Sequence, residues 1–150
     1  MLVFLSGLAL FLQFSPRVVL TPSESLDPTN PFFSPLILSN DGYLSIYNVS
    51  YGCRVKDVEW ANNSSMSMDV DAQFVHSGQR PVPEIRPAGK TTIDCAHAGQ
   101  TINRNIPVKS ARIEVIVNFR PRLWFTRNET FSFETVTDKA GTLRWIPAGE

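Results

Sequence analysis

Cys53 and Cys95 are the only two cysteines of the chain, and they are its most reactive side chains. Both fall on the apolar side of an alternating pattern. Two readings stay open. An oxidising compartment would allow a disulfide, and a closed loop of about 43 residues would then stabilise the fold by at most about 4 kcal/mol through lost chain entropy. Two buried free thiols are the other reading, because Cys packs as a small apolar residue. Asp94-Cys95-Ala96-His97, taken with Cys53 or His76, matches no common zinc spacing. Ala88-Gly89-Lys90-Thr91 resembles the end of a phosphate loop, but Glu84 stands where that loop needs its first glycine. Pro87 intrudes as well, so this is a turn into a strand. Asp57-x-Glu59 and Asp69-x-Asp71 place carboxylate pairs on one side of a strand, where a solvated face is the simpler reading. With only two His and no nucleophile elbow or metalloprotease helix, the expectation is no enzyme, no cofactor and no metal site.

The densest cluster of binding chemistry is Phe119-Arg120-Pro121-Arg122-Leu123-Trp124-Phe125-Thr126-Arg127. Arg120, Arg122, Trp124, Phe125 and Arg127 form a candidate interface. Trp beside Arg suits lipid headgroups, since the ring is amphipathic and the guanidinium attracts anions. The same pair suits a protein hot spot. The plainest reading is a connection whose aromatics close one end of the domain while the arginine heads stay in water. Trp60, Trp124 and Trp145 are the available platforms for an alternative function, a carbohydrate- or ligand-binding accessory domain. That reading needs two of them exposed on a common surface. Asn48, Asn62, Asn63 and Asn128 each begin an Asn-x-Ser/Thr acceptor pattern, which matters only in a eukaryotic secretory pathway.

Something must hold these residues in place. Residues 2–14 are almost wholly apolar, broken only by Ser6, Gly7 and Gln13, and Pro16 and Arg17 end the run. As a helix it would cover roughly 20 Å of a hydrocarbon layer about 30 Å thick. A secretory signal peptide would need a basic start and a small-residue cleavage site, and neither is present. A buried core helix fits poorly beside a β-rich chain. The favoured expectation is a membrane anchor over residues 1–16, either a short tilted span or the last part of a longer one. The single Arg17 favours a cytoplasmic domain only mildly.

Beyond Arg17 the hydrophobic period is two. Ile113, Val115, Val117 and Phe119 alternate with Arg112, Glu114, Ile116 and Asn118; Met66, Met68, Val70, Ala72 and Phe74 alternate with polar residues; Phe131 and Phe133 do the same. Such alternation is the mark of strands buried on one face. The pattern predicts strands near 18–22, 34–40, 43–57, 66–76, 90–96, 110–119, 129–137 and 142–146. Between Tyr43 and Val55 the apolar phase flips, which predicts a β-bulge near Asn48. Asp41-Gly42 predicts a tight hairpin joining 36–40 to 44–55, and Asp138 to Gly141 a four-residue turn. The Pro-rich stretch 78–89 reads as a surface loop. Lys and Arg total 14 and so do Asp and Glu, so a strongly basic nucleic-acid binder is excluded. With 43% apolar and 19% charged residues, the chain can also bury a core rather than stay disordered.

Seven to eight short strands in this length predict an all-β, immunoglobulin-like antiparallel β-sandwich over residues 17–150, preceded by a short N-terminal hydrophobic helix. Residues 27–53, DPTNPFFSPLILSNDGYLSIYNVSYGC, together with IRPAGKTTIDC (85–95) and IVNFRPRLWFTRNETFSFETVTDKAGTLRWIP (116–147), carry a resemblance. They resemble uncharacterised short bacterial membrane-anchored proteins with an Ig-like domain. The resemblance implies a fold and an anchor, and no catalytic residue. It also argues against use of the glycosylation patterns. The expected function is a non-enzymatic, membrane-tethered module mediating protein or envelope-surface contacts. It would be single-pass, with the periplasmic or extracellular side preferred, the membrane and an unknown protein as partners, and no nucleic acid.

Overall fold

The computed structural model describes residues 16–67, 81–96, 106–122 and 125–149. Among the described residues, nine antiparallel strands form two sheets. One sheet has three strands in the order β1 (Val18–Pro22), β2 (Leu36–Asn40) and β6 (Lys90–Ile93). The other has six. β4 (Ser65–Ser67), β3 (Ile46–Trp60), β7 (Val108–Pro121), β8 (Arg127–Thr137) and β9 (Leu143–Pro147) follow one another, and β5 (Val82–Ile85) also pairs with β3.

The alternation in the sequence becomes the two faces of the larger sheet. Along β7, Ala111, Ile113, Val115, Val117 and Phe119 are buried, and the intervening residues face outward. Opposite them the smaller sheet turns in Val18, Leu20, Leu36, Leu38 and Ile93. Each such side chain withdrawn from water contributes about 1.5–3 kcal/mol, which is why the two sheets close face to face. The far end of the sandwich is plugged by the 3-10 turn Pro31–Phe33. Phe32 is fully buried with its ring edge-on to Trp145, centroids 5.6 Å apart, and Trp145 Nε1 donates to the Pro31 carbonyl at 2.8 Å.

The bulge lies where the phase change predicts it. Tyr47 pairs with Arg120 and Ser50 with Asn118, so three steps on β3 oppose two on β7. Asn48 takes φ +51°, the left-handed region that Asn tolerates better than most residues. The extra residue lets both Ile46 and Val49 point inward.

Three expectations need correction. Asp41-Gly42 does not close a hairpin: β2 and β3 belong to different sheets, so this connection is an arch that crosses the sandwich. Residues 78–89 are not wholly loop. Val82–Ile85 forms an edge strand on β3, in which Pro83 has no register partner. Proline cannot donate to a ladder, but an edge strand with one free side accommodates it. The strand expected over 90–96 stops at Ile93. The strand expected over 66–76 is described only at Ser65–Ser67; Met68, Val70, Ala72 and Phe74 lie outside the described residues, as does the N-terminal helix expected over 1–15.

Candidate functional site

One end of the sandwich gathers most of the singled-out residues. Val18 pairs with Asn40, Ser39 with Lys90, Ile46 with both Ile85 and Pro121, and Phe119 with Arg127. These pairings bring the entry of the chain at Arg17, the β2–β3 arch, the β5–β6 turn and the β7–β8 connection to the same end.

Asn40 ties that end together. It is fully buried, yet its side chain is fully used. Nδ2 donates to the carbonyls of Leu44 at 2.9 Å and Ile85 at 3.0 Å, and Oδ1 accepts the Gly42 N–H at 3.0 Å. Its backbone N–H donates to Gly89 O, and its carbonyl accepts from Ala88. One side chain therefore satisfies the backbone of an arch that no ladder reaches. This crowding favours Gly42: a Cβ there would lie 3.0 Å from the Arg17 nitrogen and 3.2 Å from Asn40 Oδ1, closer than ordinary contact, so the neighbours would have to shift. The β5–β6 connection is a turn from Arg86 to Gly89 with Pro87 second and Ala88 at φ +59°. It carries the chain from the larger sheet back to the smaller one, and no phosphate loop is formed.

On the outer face of the larger sheet at this end, a groove of about 310 Å³ opens beside the bulge. Tyr47, Asn48, Pro83, Arg120, Pro121 and Arg122 line it. Arg120 and Arg122 are exposed, and neither has an acidic partner among the described residues. Two large apolar side chains stand in water at the same end, Tyr43 at 72% exposure in the arch and Phe125 at 92% in the β7–β8 connection. Within the candidate interface, Arg127 is exposed and Trp124 lies outside the described residues. Just inside the rim, Glu129 shares the inward side of β8 with Phe131 and Phe133. Partial burial pushes its carboxyl above the usual range, and nearby Arg127 opposes that shift.

Cys53 and Cys95 are joined by a disulfide with Cα atoms 5.7 Å apart. Cys53 sits in the middle of β3, and Cys95 lies two residues past β6, so the bond runs between the sheets. Other expected chemistry is dispersed. Glu59 accepts from Lys109 Nζ at 2.6 Å, and that hydrogen bond holds its carboxyl below the usual range. Asp57 lines a separate polar groove on the outer face with Lys56, Arg112, Glu114 and Glu134, in which the charges pair across β3, β7 and β8. Asp69, Asp71, His76 and His97 lie outside the described residues. Among the described residues no three metal-ligating side chains cluster. Trp60 and Trp145 are buried, so the two exposed tryptophan platforms needed for the carbohydrate alternative are not available.

Sequence reasoning missed Asn40 and the groove. Asn40 reads there only as the last residue of the strand before Asp41-Gly42. The groove exists only because the bulge sets Asn48 beside a strand that the prolines at 81, 83 and 87 disguise.

No family model matches the sequence, and no curated protein or solved structure matches it.

Proposed function

We propose that the chain is a membrane-tethered, immunoglobulin-like β-sandwich that acts through its surface and not through a cleft. The strand order supports the Ig-like assignment. Naming the strands A to G, β1-β2-β6 correspond to A-B-E, and β8-β7-β3 correspond to G-F-C, with β4 and β5 in the place of C′. Two departures stand out. β9 extends the second sheet beyond G, and the inter-sheet disulfide joins the C strand to the end of E, where antibody domains join B to F.

The single observation that carries the tethered reading is where the chain enters. Arg17 leads into β1 at the end of the sandwich that bears Tyr43, Phe125, Arg120 and Arg122, and the apolar run 2–14 precedes it. No helix among the described residues is long and apolar enough to cross a membrane, and residues 1–15 lie outside that set. The disulfide supports the oxidising side, periplasmic or extracellular, since such bonds are rare where thiols are kept reduced. It outweighs Arg17, whose lone charge is a weak orientation signal.

Membrane fractionation tests this. The full chain is expected to remain in the membrane pellet after an alkaline carbonate wash. A chain lacking residues 1–16 is expected to stay in the supernatant with an unchanged β-sheet circular dichroism spectrum. Release of the full chain by the wash, or loss of the β-sheet signal on truncation, would show that the apolar run belongs elsewhere.

A further inference from the structure

We infer that the groove beside the Asn48 bulge is a phosphate site that seats the headgroup of an anionic membrane lipid. The inference rests on the tethered reading and gives that surface its ligand. Distance supplies the first argument. Phe14, the last apolar residue of the leader, precedes Val18, the first residue of β1, by four positions. Four residues span at most about 14 Å even when fully extended. If residues 2–14 lie in the hydrocarbon layer, this end of the sandwich is held within the headgroup region. Whatever lines it then faces lipid phosphate.

Chemistry supplies the second. Arg120 and Arg122 are two positions apart and both line the groove, each with a planar fork of donors that matches phosphate oxygens. Tyr47, the register partner of Arg120, and Asn48 line the same groove and carry a hydroxyl and an amide as neutral donors. Pro83 and Pro121 complete the lining with apolar rings that bring no backbone N–H to the groove. The bulge is what assembles this set. Without the extra residue, the paired Tyr47 and Arg120 would sit on an unbroken ladder. Tyr43 and Phe125, exposed at the same end, suit the apolar margin just below the headgroups. A chain with no net charge gains its attraction for anionic lipid from this local set and not from a long-range field.

Hydrogen exchange of the full chain in lipid nanodiscs tests the inference. One set of discs is phosphatidylcholine alone; in the other, a third is replaced by phosphatidylglycerol. The expected result is slowed exchange at the amides of residues 47–50, 118–120 and 122 in the anionic discs only. The slowing is lost in the double variant Arg120→Gln/Arg122→Gln, whose circular dichroism is unchanged. At roughly fivefold per arginine, the expected difference is about 25-fold. Equal exchange in the two disc types, with the chain co-purifying with both, would overturn the headgroup site and leave the tether standing. Failure of the chain to co-purify with either would overturn the tether and the site with it. Equal slowing by inorganic phosphate in neutral discs would also overturn the lipid assignment, in favour of a soluble phosphate ligand.

Discussion

At the residue scale, the end of the sandwich depends on one buried amide. Replacing Asn40 by Ala would leave the Gly42 N–H and the Leu44 and Ile85 carbonyls without their present partner. Each such group costs about 1–3 kcal/mol when stranded away from water, so Asn40→Ala is expected to cost about 3–5 kcal/mol. A lowered urea midpoint at unchanged slope would show it. A cost below about 1 kcal/mol would mean that water replaces the side chain freely. Glu129 makes an opposite and pH-dependent case. Burial raises its carboxyl above the unfolded value, so the folded state holds the proton more tightly. That contribution is fully present below the unfolded value and is lost as pH rises through the folded one. Glu129→Gln is therefore expected to raise the melting temperature at neutral pH and to leave it unchanged in strong acid. A gain that persists undiminished in acid would refute the desolvation argument. Asp27 and Asp138 run the other way. Hydrogen bonds from Thr29 and from Thr142 lower their carboxyls, so the stability they add is lost as pH falls.

At the element scale, the legibility of the fold follows the physics of each segment. β7 and β8 were readable because a strand buried on one face must alternate, and Ile113, Val115, Val117, Phe119 and Phe133 all turn inward. The bulge was readable for the same reason: an inserted residue flips the phase, and the flip is visible between Ile46 and Val49. β5 was hidden because Pro83 marks a loop in any local reading, and only the edge position on β3 makes it tolerable. The β2–β3 arch was misread because Asp-Gly reports that the chain turns, not which sheet it turns into. That choice is made by Asn40 reaching Leu44 and Ile85, a contact between segments 45 residues apart. The candidate site was half legible. Arg120 and Arg122 were visible as a charged cluster, but Tyr47, Asn48 and Pro83 join them only through the pairing of β3 with β5 and β7.

At the scale of the whole molecule, the two sheets are unequal, and the disulfide sits where that inequality matters. Among the described residues the smaller sheet ends in β6, a four-residue strand that there pairs only with β2. Little besides Ile93 and Cys95 presses that strand against the core. The bond from Cys95 to Cys53 fastens the chain just after β6 to the middle of the longest strand in the larger sheet. Closing a loop of this length removes unfolded-state entropy worth about 4 kcal/mol, a large share of the 5–15 kcal/mol that a domain usually has in total. The double variant Cys53→Ala/Cys95→Ala is therefore expected to lose about 3–4 kcal/mol in urea unfolding, and the wild type with reductant should lose a similar amount. The loss should also have a place. Hydrogen exchange at residues 90–93 should accelerate more than at 113–117, because β6 loses its disulfide tie to β3 and keeps only the backbone turn at 86–89, while β7 keeps both neighbours. Uniform acceleration along the chain would mean that the bond acts only through the unfolded state. An unchanged midpoint under reduction would mean that apolar packing alone holds the sheets together.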